Sequence, residues 1–251
     1  MSTSSATVYL VLRLDGPLQA WGGVAQDPIR PTGAYPTRSG LSGILASALG
    51  WTYADGKRTT ALQHALRYAV REDRRARRLR DYQTADLDRI GRIGWTRHGL
   101  ERRGGGTAAT GTHVLEKTYL ADAVFTVVLT LEPGAPTTLD DLERALRAPA
   151  RPLYLGRRGC LPASPILRGR ITAASPYEAL SGWPVDPADI PRGEASPHRL
   201  RCWYADGDGP DDGEPDIVWD HRNFETDRFT GSRIVRSYLV DAPAATNERN
   251  A

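Results

Sequence analysis

The sequence predicts an α+β fold built on a ferredoxin-like, split βαβ core, and three observations carry the prediction. A sharply bounded helix lies between two alternating segments early in the chain. A third alternating run, Tyr119–Leu131, is followed by a second helix and a further strand, so strand-helix-strand occurs twice. Between the second and third strands, residues 73–118 are far longer than the ~2–6 residues of an ordinary connection and rich in arginine, which predicts a long β-hairpin thumb. Residues 171–241 then form a small C-terminal β-rich region, a second unit or a covering layer for the first, and 242–251 a disordered tail.

Val8 to Leu14 alternates as a strand, with Val8, Leu10, Leu12 and Leu14 on one face. A Gly/Pro loop, Gly16 to Pro36, leads into a helix from Thr37 or Ser39 to Leu49. Leu41, Ile44, Leu45, Ala48 and Leu49 make its apolar stripe. Thr37 and Ser39 offer N-terminal caps, and Gly50 suits the left-handed residue that ends a helix. Opposite the stripe lie Gly40, Gly43 and Ser47. Two readings fit that bare face: close packing on a neighbouring element, or approach of an anion to the free N–H groups beside Arg30 and Arg38.

Ala61 to Arg71 predicts the second strand, after a linker or helical turn near Thr59 to His64. Tyr119 to Leu131 predicts a central strand, with Ala123, Phe125, Val127, Leu129 and Leu131 on one side. A helix from Thr137 or Thr138 carries acids first and Arg144 and Arg147 last, as the helix dipole favours. Pro165 to Thr172 predicts the fourth strand. The helices cover one sheet face, so the other needs a cover or binds something.

The thumb segment REDRRARRLRDYQT holds Arg71, Arg74, Arg75, Arg77, Arg78 and Arg80; Arg89, Arg92, Arg97, Arg102 and Arg103 follow. Such a run is either a solvated face or, interleaved with Tyr82 and Trp95, a surface that binds phosphates and stacks bases. Among the 33 basic residues only Lys57 and Lys117 are lysines. Arginine grips phosphate through a planar fork, though a GC-rich genome also produces this bias.

In 251 residues, 40% of them hydrophobic, a sizeable core is available, and the net charge of +3 is mild. No apolar run approaches the ~18 residues of a membrane span, and Met1 to Gly16 lacks a basic leader, so a cytoplasmic protein is expected. Cys160 and Cys202 are then expected as reduced thiols. His64, His98, His113, His198 and His221 show no metal-ligand spacing. GxSxG, Walker, GxGxxG and HExxH signatures are missing. The best catalytic constellation is His113, Lys117 and Tyr119, which even spacing puts on one face of a strand as base, charge stabiliser and proton carrier for metal-independent RNA cleavage. Its plain alternative is a polar strand edge.

The segments LRLDGPLQAWGG, RPTGAYPTRSGLSGILASALGW, LRDYQT and YLGRRGCLPASPIL, in this order, resemble the CasD family of subtype I-E CRISPR systems. That family belongs to the RAMP superfamily, whose core is ferredoxin-like as in RNA-recognition (RRM) domains, and supplies a subunit of the Cascade surveillance complex. The resemblance implies a non-catalytic, cofactor-free RNA-binding subunit that holds the 5′ handle of crRNA. It implies contacts from Gln19, Trp21, Arg30, Thr32, Tyr35, Thr37, Arg38 and Ser39, from Arg80, Tyr82 and Thr84 at the thumb base, and from Arg157 and Arg158 in the late Gly-rich turn. Implied partners are the adjacent Cascade backbone subunit and the large PAM-recognising subunit, with no membrane and no small-molecule substrate. A sister branch, in subtype I-C, cuts precursor crRNA with a Tyr, Lys, His set. Here His113 and Lys117 are not adjacent, so no nuclease activity is expected.

Overall fold

The computed structural model describes residues 6–22, 28–86, 93–96, 99–102, 112–190, 199–241 and 243, with backbone alone at 85–86, 93–96, 99–102 and 112–113. The first half of the chain forms β1 (Thr7–Asp15), β2 (Leu18–Gln19), β3 (Ile29–Arg30), α1 (Arg38–Ala48), α2 (Gly56–Ala65), β4 (Leu66–Arg74), β5 (Arg77–Asp86), β6 (Ile93–Thr96) and β7 (Gly99–Arg102). The second half forms β8 (Thr112–Ala121), β9 (Val124–Leu131), α3 (Leu139–Arg147), β10 (Leu167–Ala173), α4 (Pro176–Gly182), β11 (Leu200–Ala205), β12 (Glu214–Asn223) and β13 (Arg228–Val240). Seven strands make one sheet in the order β10-β1-β9-β4-β11-β13-β12, every neighbouring pair antiparallel.

Alternation along β1 splits its side chains between two cores. Leu10, Leu12 and Leu14 join Phe125, Val127 and Leu129 of β9 beneath α1 and α3, where Leu41, Ile44, Leu45, Leu142 and Leu146 close the layer. Tyr9, Val11 and Val128 face the other way, against Ala179 and Leu180 of α4 and against Leu200, Cys202 and Tyr204 of β11. Both faces of the central strands are thus buried. The second face is covered by protein, and the C-terminal strands extend the main sheet, since β11 pairs with β4.

Three arginines tie the covering layer down. The Arg13 guanidinium donates to Asp189 at 2.7 Å and Arg67 to Asp208 at 2.7 Å. Arg71, fully buried, is bonded to Asp73 and donates to the Leu180 and Trp183 carbonyls at 2.6 Å. Those carbonyls lie at the negative end of α4, where a cation is favoured. Arg71 is therefore a core residue of β4, a correction to its place in the predicted thumb run, and Arg74 likewise donates back to the Asp122 carbonyl at 2.8 Å.

Two predicted elements change at their ends. Residues 61–65 are helical, because Thr52 and Asp55 form a capping box that starts a 3₁₀ turn running into α2. The run from Tyr119 to Leu131 breaks at Asp122, whose φ is 58°; aspartate tolerates the left-handed region better than most residues. β9 stays in the main sheet between β1 and β4, while β8 leaves it to pair with β2, β3 and β5. Within the segment predicted to be a thumb, 87–92, 97–98 and 103–111, with Arg89, Arg92, Arg97 and Arg103, lie outside the described residues, as do 242 and 244–251 of the expected tail.

Candidate nucleic-acid interface

An accessible cationic surface lies on β5. Its ladder with β8 runs from Arg77 opposite Ala121 to Asp86 opposite Thr112, so Arg78, Arg80, Tyr82 and Thr84 share one face. All four are exposed, as are Arg75 and Arg77, and Tyr82 keeps 62% of its surface in solvent. The Arg80 side chain, 70% exposed, is paired with Glu116, and that of Arg77, 84% exposed, with Asp122 at 3.2 Å. Ion pairs this exposed contribute ~0–1 kcal/mol, so either guanidinium can exchange its carboxylate for a phosphate at little cost. Three of the predicted contacts, Arg80, Tyr82 and Thr84, therefore stand together on one exposed strand face.

The Gly-rich turn reaches the same β8 ladder. Gly156 has φ 96°, and a Cβ there would lie 1.7 Å from the Ala20 carbonyl oxygen, so only glycine fits. Beyond it the Arg157 guanidinium donates to the Thr118 carbonyl at 2.8 Å and to the Arg30 carbonyl at 2.7 Å, and lies over the Tyr119 ring at 4.8 Å. It joins β3 to β8 and has little fork left for a phosphate. Arg158, its neighbour, is exposed. Arg30, half-buried, pairs in parallel with Lys117 of β8.

The loop and helix start are built inward. Gln19 and Trp21 are fully buried: the Gln19 amide donates to the Leu14 carbonyl at 3.0 Å and the Ala123 carbonyl at 2.8 Å, and accepts from the Trp21 indole N–H at 3.1 Å. Thr32 Oγ1 accepts from Trp21 N at 2.8 Å. Tyr35, also buried, stacks on Trp203 with centroids 4.6 Å apart, its hydroxyl without a hydrogen-bond partner among the described residues. Thr37 caps α1 by accepting from Gly40 N at 3.3 Å, and Ser39 is buried beside it.

A carboxylate of the chain itself occupies the anion position of α1. Asp220, fully buried on β12, accepts from Arg38 N at 2.9 Å and from Arg233 at 2.9 and 3.0 Å. Burial pushes the Asp220 carboxyl up, but the Arg233 bonds and charge, with the Arg38 N–H, outweigh it and hold it below the usual range. The Arg38 side chain bends inward over Tyr68 at 6.0 Å and meets His221 Nε2 at 3.4 Å. A Cβ on Gly40 would touch the Trp21 ring at 3.0 Å, whereas at Gly43 it would meet open space. Of the two readings of the bare helix face, the structure carries close packing at Gly40 and fills the anion position with Asp220. No local signal marked Asp220 or Arg233; both lie in strands distant in sequence.

Of the catalytic alternative, His113, Lys117 and Tyr119 all lie on β8, the side chain of His113 outside the described residues. Lys117 Nζ donates to Gln83 Oε1 at 2.8 Å and Tyr119 lies beneath Arg157. Cys160 and Cys202 are buried and free, and burial pushes the Cys202 thiol up to about 12. Among the described residues no helix is long and apolar enough to cross a membrane.

Residues 9–236 match the family model described as CRISPR-associated protein (Cas_Cas5). The chain is 37% identical over 190 residues to the CRISPR system Cascade subunit CasD of Escherichia coli (strain K12), covering 72% of this chain and 80% of that protein. A chain of a solved CRISPR RNA-guided surveillance complex superposes with a TM-score of 0.68 at 30% identity, over 96% of this chain and 95% of that one. A crystal structure of a Cas protein gives 0.62 at 29% identity, over 94% and 98%.

Proposed function

The chain belongs to the Cas5 family of CRISPR-associated proteins, and from that premise we propose that it is a subunit of a Cascade surveillance complex that caps the 5′ handle of crRNA without cutting it. Its relatives are a Cascade subunit and a chain of a surveillance complex. The antiparallel order β10-β1-β9-β4, with α1 and α3 on one face, supports the ferredoxin-like reading of the core, and the β5–β8 ladder is its thumb base. Handle RNA lies along Arg78, Arg80, Tyr82 and Thr84 of the thumb with Arg158 and the Arg30 edge beside it. Gln19, Trp21, Thr32, Tyr35, Thr37, Arg38, Ser39 and Arg157 act from behind, shaping the surface on which that RNA sits. The adjacent backbone subunit and the PAM-recognising subunit are its protein partners.

The observation that carries the reading is a strand whose arginines and tyrosine stand in solvent on one face, two phosphate grips followed by a stacking ring. The non-catalytic part is supported at β8, where Lys117 and Tyr119 are both engaged by neighbours. Titrating handle RNA with the full chain at several salt concentrations tests the surface. The double variant Arg78→Ala/Arg80→Ala should bind more weakly and flatten the log–log salt slope by about 1.4, two phosphates at ~0.7 each for a single strand. An unchanged slope would remove these arginines from the interface. Repeat RNA incubated with the chain in EDTA should stay intact; cuts that vanish in His113→Ala would establish the ribonuclease instead.

A further inference from the structure

β12 ends the main sheet, and among the described residues no strand pairs its outer edge. Toward Asn223 that edge is closed by α2: the Gln63 amide donates to the Arg222 carbonyl at 3.0 Å and accepts from Arg222 N at 3.1 Å, and Thr60 accepts from Phe224 N at 3.2 Å. Toward Glu214 the strand turns apolar side chains to solvent. Ile217 is 68% exposed, Trp219 56%, and Ile234, directly opposite Ile217 on β13, 46%. Two-residue spacing puts all three on one face. It is the face α4 covers further along, because Arg236, two residues after Ile234, pairs with Tyr204, which packs in the core that contains Ala179 and Leu180 of α4.

An exposed Ile-Ile-Trp cluster beside an open strand edge is a feature that folded chains avoid unless something covers it. Charge selects the cover. Asp211 and Asp212, in the turn that leads into this end of β12, are both exposed. The arginine of this patch, Arg236, is already bonded to Asp206 and to the Asp211 and Gly213 carbonyls. A phosphate backbone brought here would meet carboxylates. A protein with apolar side chains ringed by lysine or arginine would meet a complementary rim and a central aromatic.

We propose that the outer face of the β12–β13 pair around Ile217, Trp219 and Ile234 is a docking surface for another protein subunit, which inserts apolar side chains within a basic rim. The proposal rests on the reading of the chain as a subunit of a larger complex, and it assigns RNA and protein to separate surfaces, the β5 ribbon and this patch.

The test reconstitutes the full chain with crRNA and the other protein subunits of its own complex and measures each subunit's affinity. Ile217→Ser/Trp219→Ala, both at exposed positions, should leave the thermal midpoint and the affinity for handle RNA unchanged while one protein subunit binds about thirtyfold more weakly. Asp211→Lys/Asp212→Lys should weaken the same subunit about tenfold at low salt and less at high salt. In the wild-type complex, carbodiimide should couple the carboxylates of this rim to lysines of that subunit. Native affinity of every protein subunit for both variants would overturn the proposal and leave the RNA reading intact. Weakening of handle RNA in place of a protein subunit would also overturn it, by making the patch a nucleic-acid site. If the wild-type chain joins no such complex, the functional reading falls and the proposal with it.

Discussion

Single residues set the two tightest constraints, and each makes a measurable claim. At Gly156 the positive φ and the Ala20 carbonyl together exclude any side chain. Gly156→Ala should cost about 2–4 kcal/mol, strain plus displaced backbone, read from the urea midpoint. His221 supplies the pH dependence. Burial first, then the adjacent Arg38 charge, holds its imidazole below the ordinary 6.5; Asp220 opposes them, and His64 and Arg233 add to them. An unfolded chain takes up this proton near pH 6.5 while the folded ring resists it. The stability it contributes is therefore present above that value and is lost as the pH falls below it. Urea midpoints should drop between about pH 7.5 and 5.5, and His221→Gln should flatten the drop. An undiminished drop in that variant would assign the titration elsewhere. Nothing around His221 in sequence announces this role, because its neighbours Arg38 and His64 reach it only through the fold.

Among the elements, legibility followed the strength of the local pattern. α1 was legible because Leu41, Ile44, Leu45 and Ala48 form a buried stripe between the Thr37 cap and Gly50 at φ 78°. α3 was legible through Thr138, whose capping box with Asp141 sits where acids precede bases. α2 was not, since its buried residues are mostly small or polar, Gly56, Thr59, Leu62, Gln63 and Ala65, and Gln63 is spent on an edge bond to β12. The site divided in the same way. Arginines on β5 read correctly as solvent-facing, whereas Gln19, Trp21, Thr32, Tyr35 and Thr37, which the resemblance implies as RNA contacts, are buried, held partly by near neighbours and partly by Ala123 and Trp203 across the fold. At the start of α1 this gives a clear test. Asp220→Asn keeps the shape but leaves Arg233 buried without its counter-charge and weakens the bond to Arg38 N. The loss should be about 3–5 kcal/mol, with the folded protein still binding handle RNA. If RNA bound more tightly instead, the helix start would be a phosphate site that Asp220 blocks.

At the scale of the whole molecule, one question decides how the chain behaves: whether the region after residue 170 unfolds by itself. Sequence composition suggested a change of character there, and composition is blind to pairing. The strands that follow join β4, the covering layer buries the second face of β1 and β9, and Arg13, Arg67 and Arg71 of the core each hold an acid or carbonyl of that layer or beside it. Because the layer shares both a sheet and a core with the first part, its separation would expose Tyr9, Val11, Ala69 and Val128 at once. We therefore expect a single cooperative urea transition, reported alike by tryptophans on either side, Trp21 under α1 and Trp203 on β11, each followed in a variant that keeps only that tryptophan. Arg71→Ala sharpens the expectation. It removes a fully buried cation from Asp73 and from the α4 carbonyls, which should cost about 3–5 kcal/mol, and both probes should shift to the same lower midpoint. If Trp203 alone moved while Trp21 kept its wild-type midpoint, the C-terminal strands would form a separately melting unit docked on the core.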